Sequence, residues 1–306
     1  MKNHAGAIGV QLSEAQSPTE SYGRPAAIED ASNRLFIHPL AARIARFAIA
    51  HGISANSLSL LGLACGLVAA VLYGFLPDPL FVGAGFLLML AWHVLDGADG
   101  KVARATGTAS AFGRILDGIC DHLVFGAVYI AFVVAMVAAG ESVAVAALGV
   151  VAALSHALQA AAYEERRQKY QRRCAGRSRE AVHGKLLFVD GRRSFLASIY
   201  DRGQKLVAGP ESGLDEALTR LGSGPGGAEL RREIVGRTAP MVLAWGLLNA
   251  NKRTLLIAVF AFLDAPAFYF LLEVTLFNLA MLLLMLAELR LERQLVARAR
   301  AGAGAA

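Results

Sequence analysis

Four aspartates stand out because they fall inside apolar sequence. Asp96 and Asp99 lie at the end of one apolar stretch, and Asp117 and Asp121 lie near the start of the next. Carboxylates inside membrane-spanning sequence are costly and rare, and they indicate a functional site by default. Divalent cations prefer oxygen ligands and leave positions open for phosphate. The sequence therefore predicts a site for two divalent ions, Mg²⁺ or Mn²⁺.

Small residues and one cation share helical faces with these acids. Side chains three or four residues apart lie on one face of a helix. The short segment 105–111 predicts that the two helices are antiparallel neighbours with facing acids. Glycines leave the backbone open to a flat nucleotide or a pyrophosphate, although they also permit close helix packing alone. The first stripe contains Asp96, Asp99, Gly100, Ala103 and Arg104, and the second contains Gly113, Asp117 and Asp121.

The composition indicates an integral membrane protein. Of 306 residues, 56% are hydrophobic and 18% are charged, whereas soluble domains carry roughly 25% charged residues. Three scattered cysteines exclude a disulfide framework and a zinc site. The net charge of +6 favours contact with anionic lipid or phosphate substrates over nucleic acid.

Six apolar stretches approach the roughly 20 residues that a membrane crossing needs, so we expect an all-α bundle. Lys and Arg are absent from 47–100, 115–165 and 254–289. Because positive charge marks the cytoplasmic side, both termini and the acids are expected in the cytoplasm, in a bacterial inner membrane. The predicted spans are 55–75, 80–101, 113–139, 143–163, 241–263 and 267–288.

The remaining segments complete a domain plan. Residues 31–50 are amphipathic and predict an interfacial helix, which Pro39 is expected to kink or break. The plan consists of a disordered cytoplasmic tail (1–30), the interfacial helix (31–50), four spans with the catalytic motif 96–121 (51–165), a basic cytoplasmic insertion (166–240), two further spans (241–290) and a cytoplasmic tail (291–306).

Other polar residues in the apolar stretches are weaker candidates. Lys252 and Arg253 need an anionic partner if they lie deep in the fifth span. A phosphate on a bound substrate, here called the acceptor, would serve. Alternatively, that span begins later and both residues lie at the interface. His122 is a candidate for the same acceptor cavity. Glu273 and Asn278 are expected to make packing or dimer contacts, and a homodimer is expected.

The acidic motif resembles a known family signature. It runs Asp96-x2-Asp99-Gly100-x2-Ala103-Arg104-x8-Gly113-x3-Asp117-x3-Asp121 and resembles that of the CDP-alcohol phosphotransferases at all eight specified positions. Each position would match by chance at about one in ten to one in twenty. Residues 52–66 also resemble the family's first span, with Ala55 in place of the usual proline and Ser59 in place of threonine.

The resemblance implies transfer of a phosphate-linked group from a CDP-linked donor to an alcohol, with release of CMP. Asp121 would be both a metal ligand and the base. The donor is left open: CDP-diacylglycerol would give a phosphatidyl group to a polar alcohol, and a donor like CDP-choline or CDP-ethanolamine would give its phospho-alcohol to diacylglycerol. The other implied metal ligands are Asp96, Asp99 and Asp117, and the implied nucleotide site is Asp96, Gly100, Ala103, Arg104 and Gly113.

Two other classes of protein make different predictions. An ion transporter or channel would spread acids through the membrane depth and show inverted repeats, whereas here the acids cluster at one end. A non-catalytic membrane scaffold would not need four intact acids. The sequence therefore favours an enzyme of phospholipid biosynthesis.

Overall fold

The computed structural model describes residues 25–109, 111–175, 188–189, 192–193, 213–215 and 225–303. This part of the chain is helical apart from a two-residue antiparallel pair, β1 (Phe188–Val189) and β2 (Arg192–Arg193). Residues 1–24 of the predicted tail and most of the predicted insertion lie outside the described residues. The end of that tail, at Ala26–Ile28, forms a 3₁₀ turn with Ile28 buried.

The predicted amphipathic segment is helical. A π-helical turn at Asn33–Ile37 leads into α1 (His38–Ala50). Pro39 lies in the first turn of α1, where its missing N–H is tolerated, so α1 itself is unbroken. The helix packs against the bundle through Ala41, Ala45 and Ala48. Ile44 packs against the same cluster, whereas Leu40, Phe47 and Ile49 are exposed.

Four long helices follow, close to the first four predicted spans. Each is apolar and long enough to cross a membrane. The last of them continues beyond residue 163, so the predicted insertion begins within a helix. The four are α2 (Ala55–Tyr73), α3 (Pro79–Ala105), α4 (Ala111–Ala138) and α5 (Ala144–Ala175).

The predicted fifth span, 241–263, is not one helix. It comprises the end of α6 (Pro225–Trp245), a 3₁₀ turn (Gly246–Leu248) and α7 (Ala250–Phe262). The break occurs because the Asn249 side chain caps α7 by accepting from the backbone N–H of Lys252 at 2.9 Å. At 13 residues, α7 is shorter than the roughly 20 residues of a full crossing.

The last predicted span is present and longer than expected. It consists of α8 (Pro266–Leu272), a π-helical turn (Glu273–Phe277) and α9 (Asn278–Ala303). Within the described ranges, five helical stretches are therefore long and apolar enough to cross a membrane. The chain fits an integral membrane protein, but the count of six spans is not confirmed.

Close packing around α2 sets the positions of its neighbours. A Cβ atom on Gly66 would lie 2.4 Å from a Val124 methyl carbon, and one on Gly62 would lie 3.4 Å from the Leu95 Cβ. These glycines let α2 approach both α3 and α4. The ring of Trp92 on α3 also meets that of Phe125 on α4, edge to face at 5.4 Å. The two acid-bearing helices are thus held against a common helix.

Candidate active site

A tight turn joins the two helices that carry the acids. Gly107 adopts a positive φ of 69°, a conformation that glycine reaches without steric cost. The carbonyl of Ala103 accepts hydrogen bonds from the backbone N–H of Thr108 at 2.9 Å and of Ala109 at 3.1 Å. The segment between the two helices is short, since α3 ends at Ala105 and α4 begins at Ala111.

Three of the four predicted acids come together across this turn. One carboxylate oxygen from each of Asp96, Asp99 and Asp117 lies within 4.8 Å of the other two. Asp99 is buried, and the other two are half-buried. These oxygens are the donors that hard divalent cations prefer, so the three residues fit a metal ion.

The fourth acid, Asp121, lies outside that three-acid group. It is within electrostatic range of Asp117 and Asp99. Its Oδ1 atom is buried and has no hydrogen-bond partner among the described residues. A buried polar atom of this kind is rare in folded proteins and calls for an explanation, such as a catalytic role or an absent ion or water.

Arg104 and Gly100 form a second feature of the site. A Cβ atom on Gly100 would lie 3.1 Å from Nη1 of Arg104, so the missing side chain leaves room for the guanidinium. Arg104 interacts electrostatically with Asp99 and Asp117. Ala103 and Gly113 on the same stripes are half-buried. The site therefore places a guanidinium beside the three carboxylates.

Ser59 of α2 contacts the acidic group directly. Its hydroxyl donates a hydrogen bond to Oδ2 of Asp99. The two residues are 40 positions apart in the chain, so helical spacing gives no sign of this contact.

Glu164 and Arg167 of α5 are further residues that the sequence analysis missed. Arg167 donates from Nη2 to Glu164 Oε1 at 2.6 Å, and both residues interact electrostatically with Asp117 and Asp121. Glu164 was expected just after the fourth span, and Arg167 at the start of the basic insertion. The available signal was their three-residue spacing, which places both on one face of a helix that continues from an apolar span.

Two of the residues predicted to bind the acceptor, His122 and Lys252, make contacts within the protein. His122 is exposed, and its ring nitrogen contacts the Gly118 carbonyl at 2.6 Å. Lys252 donates to Asp30 Oδ2 at 2.6 Å and to the Gly246 carbonyl at 2.7 Å.

Arg253 is fully buried and donates to Glu273 at 2.9 Å. The predicted need for an anionic partner is therefore met within the protein. Asn278 donates to Ser155 at 3.0 Å in the same chain.

Comparison with protein families places the acids in a known context. Residues 52–183 match the family model of the CDP-alcohol phosphatidyltransferases. The chain thus carries a CDP-alcohol phosphatidyltransferase domain. This domain begins just before α2 and contains the whole acidic motif. No curated protein matches the chain.

The domain makes the chain a transferase of substituted phosphate groups. A CDP-alcohol phosphatidyltransferase acts on a CDP-linked donor and an alcohol acceptor at a membrane, and the apolar helices described above fit that setting. In this domain the three-acid group of Asp96, Asp99 and Asp117 is suited to a divalent metal.

Proposed function

We propose that the protein transfers a phosphatidyl group from CDP-diacylglycerol to a polar alcohol and releases CMP. The observation that carries this proposal is the three-acid group of α3 and α4, with Arg104 beside it, inside a CDP-alcohol phosphatidyltransferase domain. We place this site at the cytoplasmic end of the bundle, in a bacterial inner membrane. The nucleotide then arrives from water while the acyl chains stay in the bilayer.

Asp96, Asp99 and Asp117 would hold two divalent ions, Mg²⁺ or Mn²⁺, with Asp121 as a further ligand. When bound, such ions neutralise a pyrophosphate and stabilise the charge that develops on the leaving CMP. Arg104 is positioned to add a charge-assisted hydrogen bond to a phosphate oxygen. Gly100, Ala103 and Gly113, together with Asp96, would line the nucleotide site.

Asp121 is the proposed base. Phosphoryl transfer needs the acceptor oxygen in line with the bond to the leaving group, and a nearby carboxylate can take the hydroxyl proton. The new bond joins the acceptor oxygen to the phosphatidyl phosphorus, and the bond from that phosphorus to the CMP oxygen breaks. The buried Oδ1 of Asp121, without a hydrogen-bond partner in the described part of the chain, supports this role.

The direction of lipid transfer is the main alternative. A donor like CDP-choline or CDP-ethanolamine would give its phospho-alcohol to diacylglycerol at the same acids. We favour CDP-diacylglycerol because the segment 166–193 is strongly basic and faces the cytoplasm in the predicted topology, where anionic lipid is found. A homodimer remains a prediction.

One experiment separates these reactions. Membranes containing the protein are incubated with CDP-diacylglycerol and one acceptor at a time, which is serine, glycerol 3-phosphate, inositol or inositol phosphate. A further arm contains CDP-choline or CDP-ethanolamine with diacylglycerol, and CMP and the lipid product are measured in every arm. We expect one acceptor to give both products, and the Asp117→Asn variant to give neither. Product formation only from CDP-choline or CDP-ethanolamine and diacylglycerol would establish the alternative, and absence of CMP release in every arm would contradict the proposed function.

A further inference from the structure

We infer that Ser59 is a positioning residue that orients Asp99 for metal binding. The inference rests on the proposed function, because it concerns the same three-acid group. The contact that carries it is the hydrogen bond from the Ser59 hydroxyl to Oδ2 of Asp99. Ser59 lies on α2, whereas the three acids lie on α3 and α4.

The packing of α2 against α3 fixes this contact. Gly62 packs on Leu95, with 3.4 Å between its ideal Cβ position and the Leu95 Cβ. One turn earlier on α2 is Ser59, and one turn later on α3 is Asp99. Because the two helices approach this closely, a side chain as short as serine spans the gap between them.

The hydroxyl has two acceptors within reach, and the stronger one is Asp99. Ser59 Oγ also lies 3.2 Å from the Ala55 carbonyl, four residues earlier. That contact is ordinary for serine within a helix. A hydroxyl has a single proton, and hydrogen bonds to ionised acceptors are roughly twice as strong as those between neutral groups. The Ser59 hydroxyl therefore donates to the Asp99 carboxylate in preference to the Ala55 carbonyl.

Orientation of Asp99 matters because this carboxylate is buried, with 7% of its surface exposed. A hydrogen bond to Oδ2 limits rotation of the carboxylate and so holds it in one orientation toward a cation. Groups that hydrogen-bond to metal ligands typically contribute 10- to 100-fold to metal affinity or activity. Ser59 is thus expected to act on metal affinity without touching the substrate.

The test measures Mn²⁺ binding directly, without nucleotide. The purified full-length protein in detergent micelles is titrated with Mn²⁺, and free Mn²⁺ is read by electron paramagnetic resonance. We expect Ser59→Ala to raise the Kd for Mn²⁺ by about 10- to 100-fold, and Ser59→Thr, which keeps the hydroxyl, to bind as the parent does. The matched control is Ser57→Ala on the same helix, whose side chain is exposed and contacts Ser54, and it should bind Mn²⁺ normally.

Activity provides a second reading. The Mn²⁺ concentration that gives half-maximal CMP release should rise in Ser59→Ala, while kcat at saturating Mn²⁺ stays close to that of the parent. Parent-like Mn²⁺ binding by Ser59→Ala, or weaker binding of the CDP-linked donor alone, would overturn the inference and leave the proposed function standing. Equal losses of Mn²⁺ affinity in Ser59→Ala and Ser57→Ala would also overturn the inference, because they would indicate a general effect on α2. Absence of Mn²⁺ binding by the parent would count against both proposals.

Discussion

The guanidinium of Arg253 donates from Nε to the carboxylate of Glu273 at 2.9 Å, and neither side chain is exposed. This ion pair joins the start of α7 to the π-helical turn before α9. Arg253 also donates to the carbonyl of Leu248, in the turn that interrupts the predicted span, and to Gln159 of α5. One buried cation thus links the broken segment to two other helices.

Removing one partner of this pair should destabilise the fold strongly. Glu273→Ala leaves the Arg253 charge without its carboxylate, and Tyr269 loses the acceptor that it reaches at 2.7 Å. Loss of one partner from a buried ion pair typically costs about 3–5 kcal/mol. We expect a large fall in the thermal unfolding midpoint of the purified protein in detergent.

Two further variants test whether charge is the cause. Replacing both partners with apolar residues, as in Arg253→Met with Glu273→Leu, should recover much of the loss because no unpaired charge remains. Thr275→Val in the same π-helical turn changes an exposed side chain and should melt like the parent. An unchanged midpoint in Glu273→Ala would show that the pair contributes little.

Metal dependence follows from the three-acid group. Asp96→Asn, Asp99→Asn and Asp117→Asn should each lose most of the turnover while still inserting into the membrane, because each removes a charged ligand. Chelator should abolish CMP release by the parent, and added Mg²⁺ or Mn²⁺ should restore it. Full activity in excess chelator would eliminate the metal role.

Asp121 and Arg104 should affect different kinetic constants. Asp121→Asn cannot accept a proton, and a general base typically contributes 10²–10⁴-fold to turnover, so kcat should fall by that order while donor binding changes little. Arg104→Ala removes a hydrogen bond to a charged group, worth about 1.5–3 kcal/mol, so donor affinity should fall instead. Binding of CDP and turnover are measured on both variants. Normal turnover by Asp121→Asn would reduce Asp121 to a structural role.

The interrupted segment makes the number of crossings testable. We expect the end of α6, the turn at Gly246–Leu248 and α7 to cross the membrane together as a broken helix, an arrangement known where non-helical backbone is buried in protein. Single cysteines are introduced into a background lacking Cys65, Cys120 and Cys174. Positions 78, 141 and 264 should label from outside, and positions 51 and 298 only from inside. Labelling of 298 from outside would establish five crossings.

Sequence patterns predicted the elements better than the contacts between them. The first four spans and the acidic turn follow from hydropathy and from acids at helical spacing, which are local properties. The polar residues near Asn249 left the start of the fifth span open, but they did not predict a break there, because hydropathy does not distinguish a helix-capping residue from a polar residue inside a helix. The apolar residues of α1 were recognised, but its fully buried residues are alanines such as Ala45, which hydropathy alone does not single out.

The contacts of the site depend on how the helices rotate and approach. Ser59 meets Asp99 only because glycines bring α2 and α3 together. Likewise, the stripe containing Asp117 and Asp121 was expected to contribute both acids to the metal group, and the three oxygens that lie together are those of Asp96, Asp99 and Asp117, with Asp121 outside that group. A four-residue spacing fixes a shared face, but it does not fix which turn of that face meets the neighbouring helix.

Asp30 connects the N-terminal segment to the interrupted span and gives a pH-dependent prediction. Burial would raise the pKa of Asp30, but hydrogen bonds from Lys252 and Ser32 outweigh burial and hold the pKa below its ordinary value of 3.8. The folded state therefore favours the ionised carboxylate. Its contribution to stability is present above the ordinary pKa and is lost as the pH falls through the lower pKa of the folded protein.

Asp30→Asn should consequently be less stable than the parent at neutral pH. The pair with Lys252 is partly exposed, with 39% of the Lys252 side chain accessible, so the loss should be about 1 kcal/mol or less. Unfolding midpoints of both proteins are compared from pH 7 down to pH 3, and the difference should shrink below about pH 4. Lys252→Gln and the double variant complete the cycle: additive losses at pH 7 would show that Asp30 and Lys252 do not interact, and a difference that persists unchanged at pH 3 would show that the Asp30 charge is not its cause.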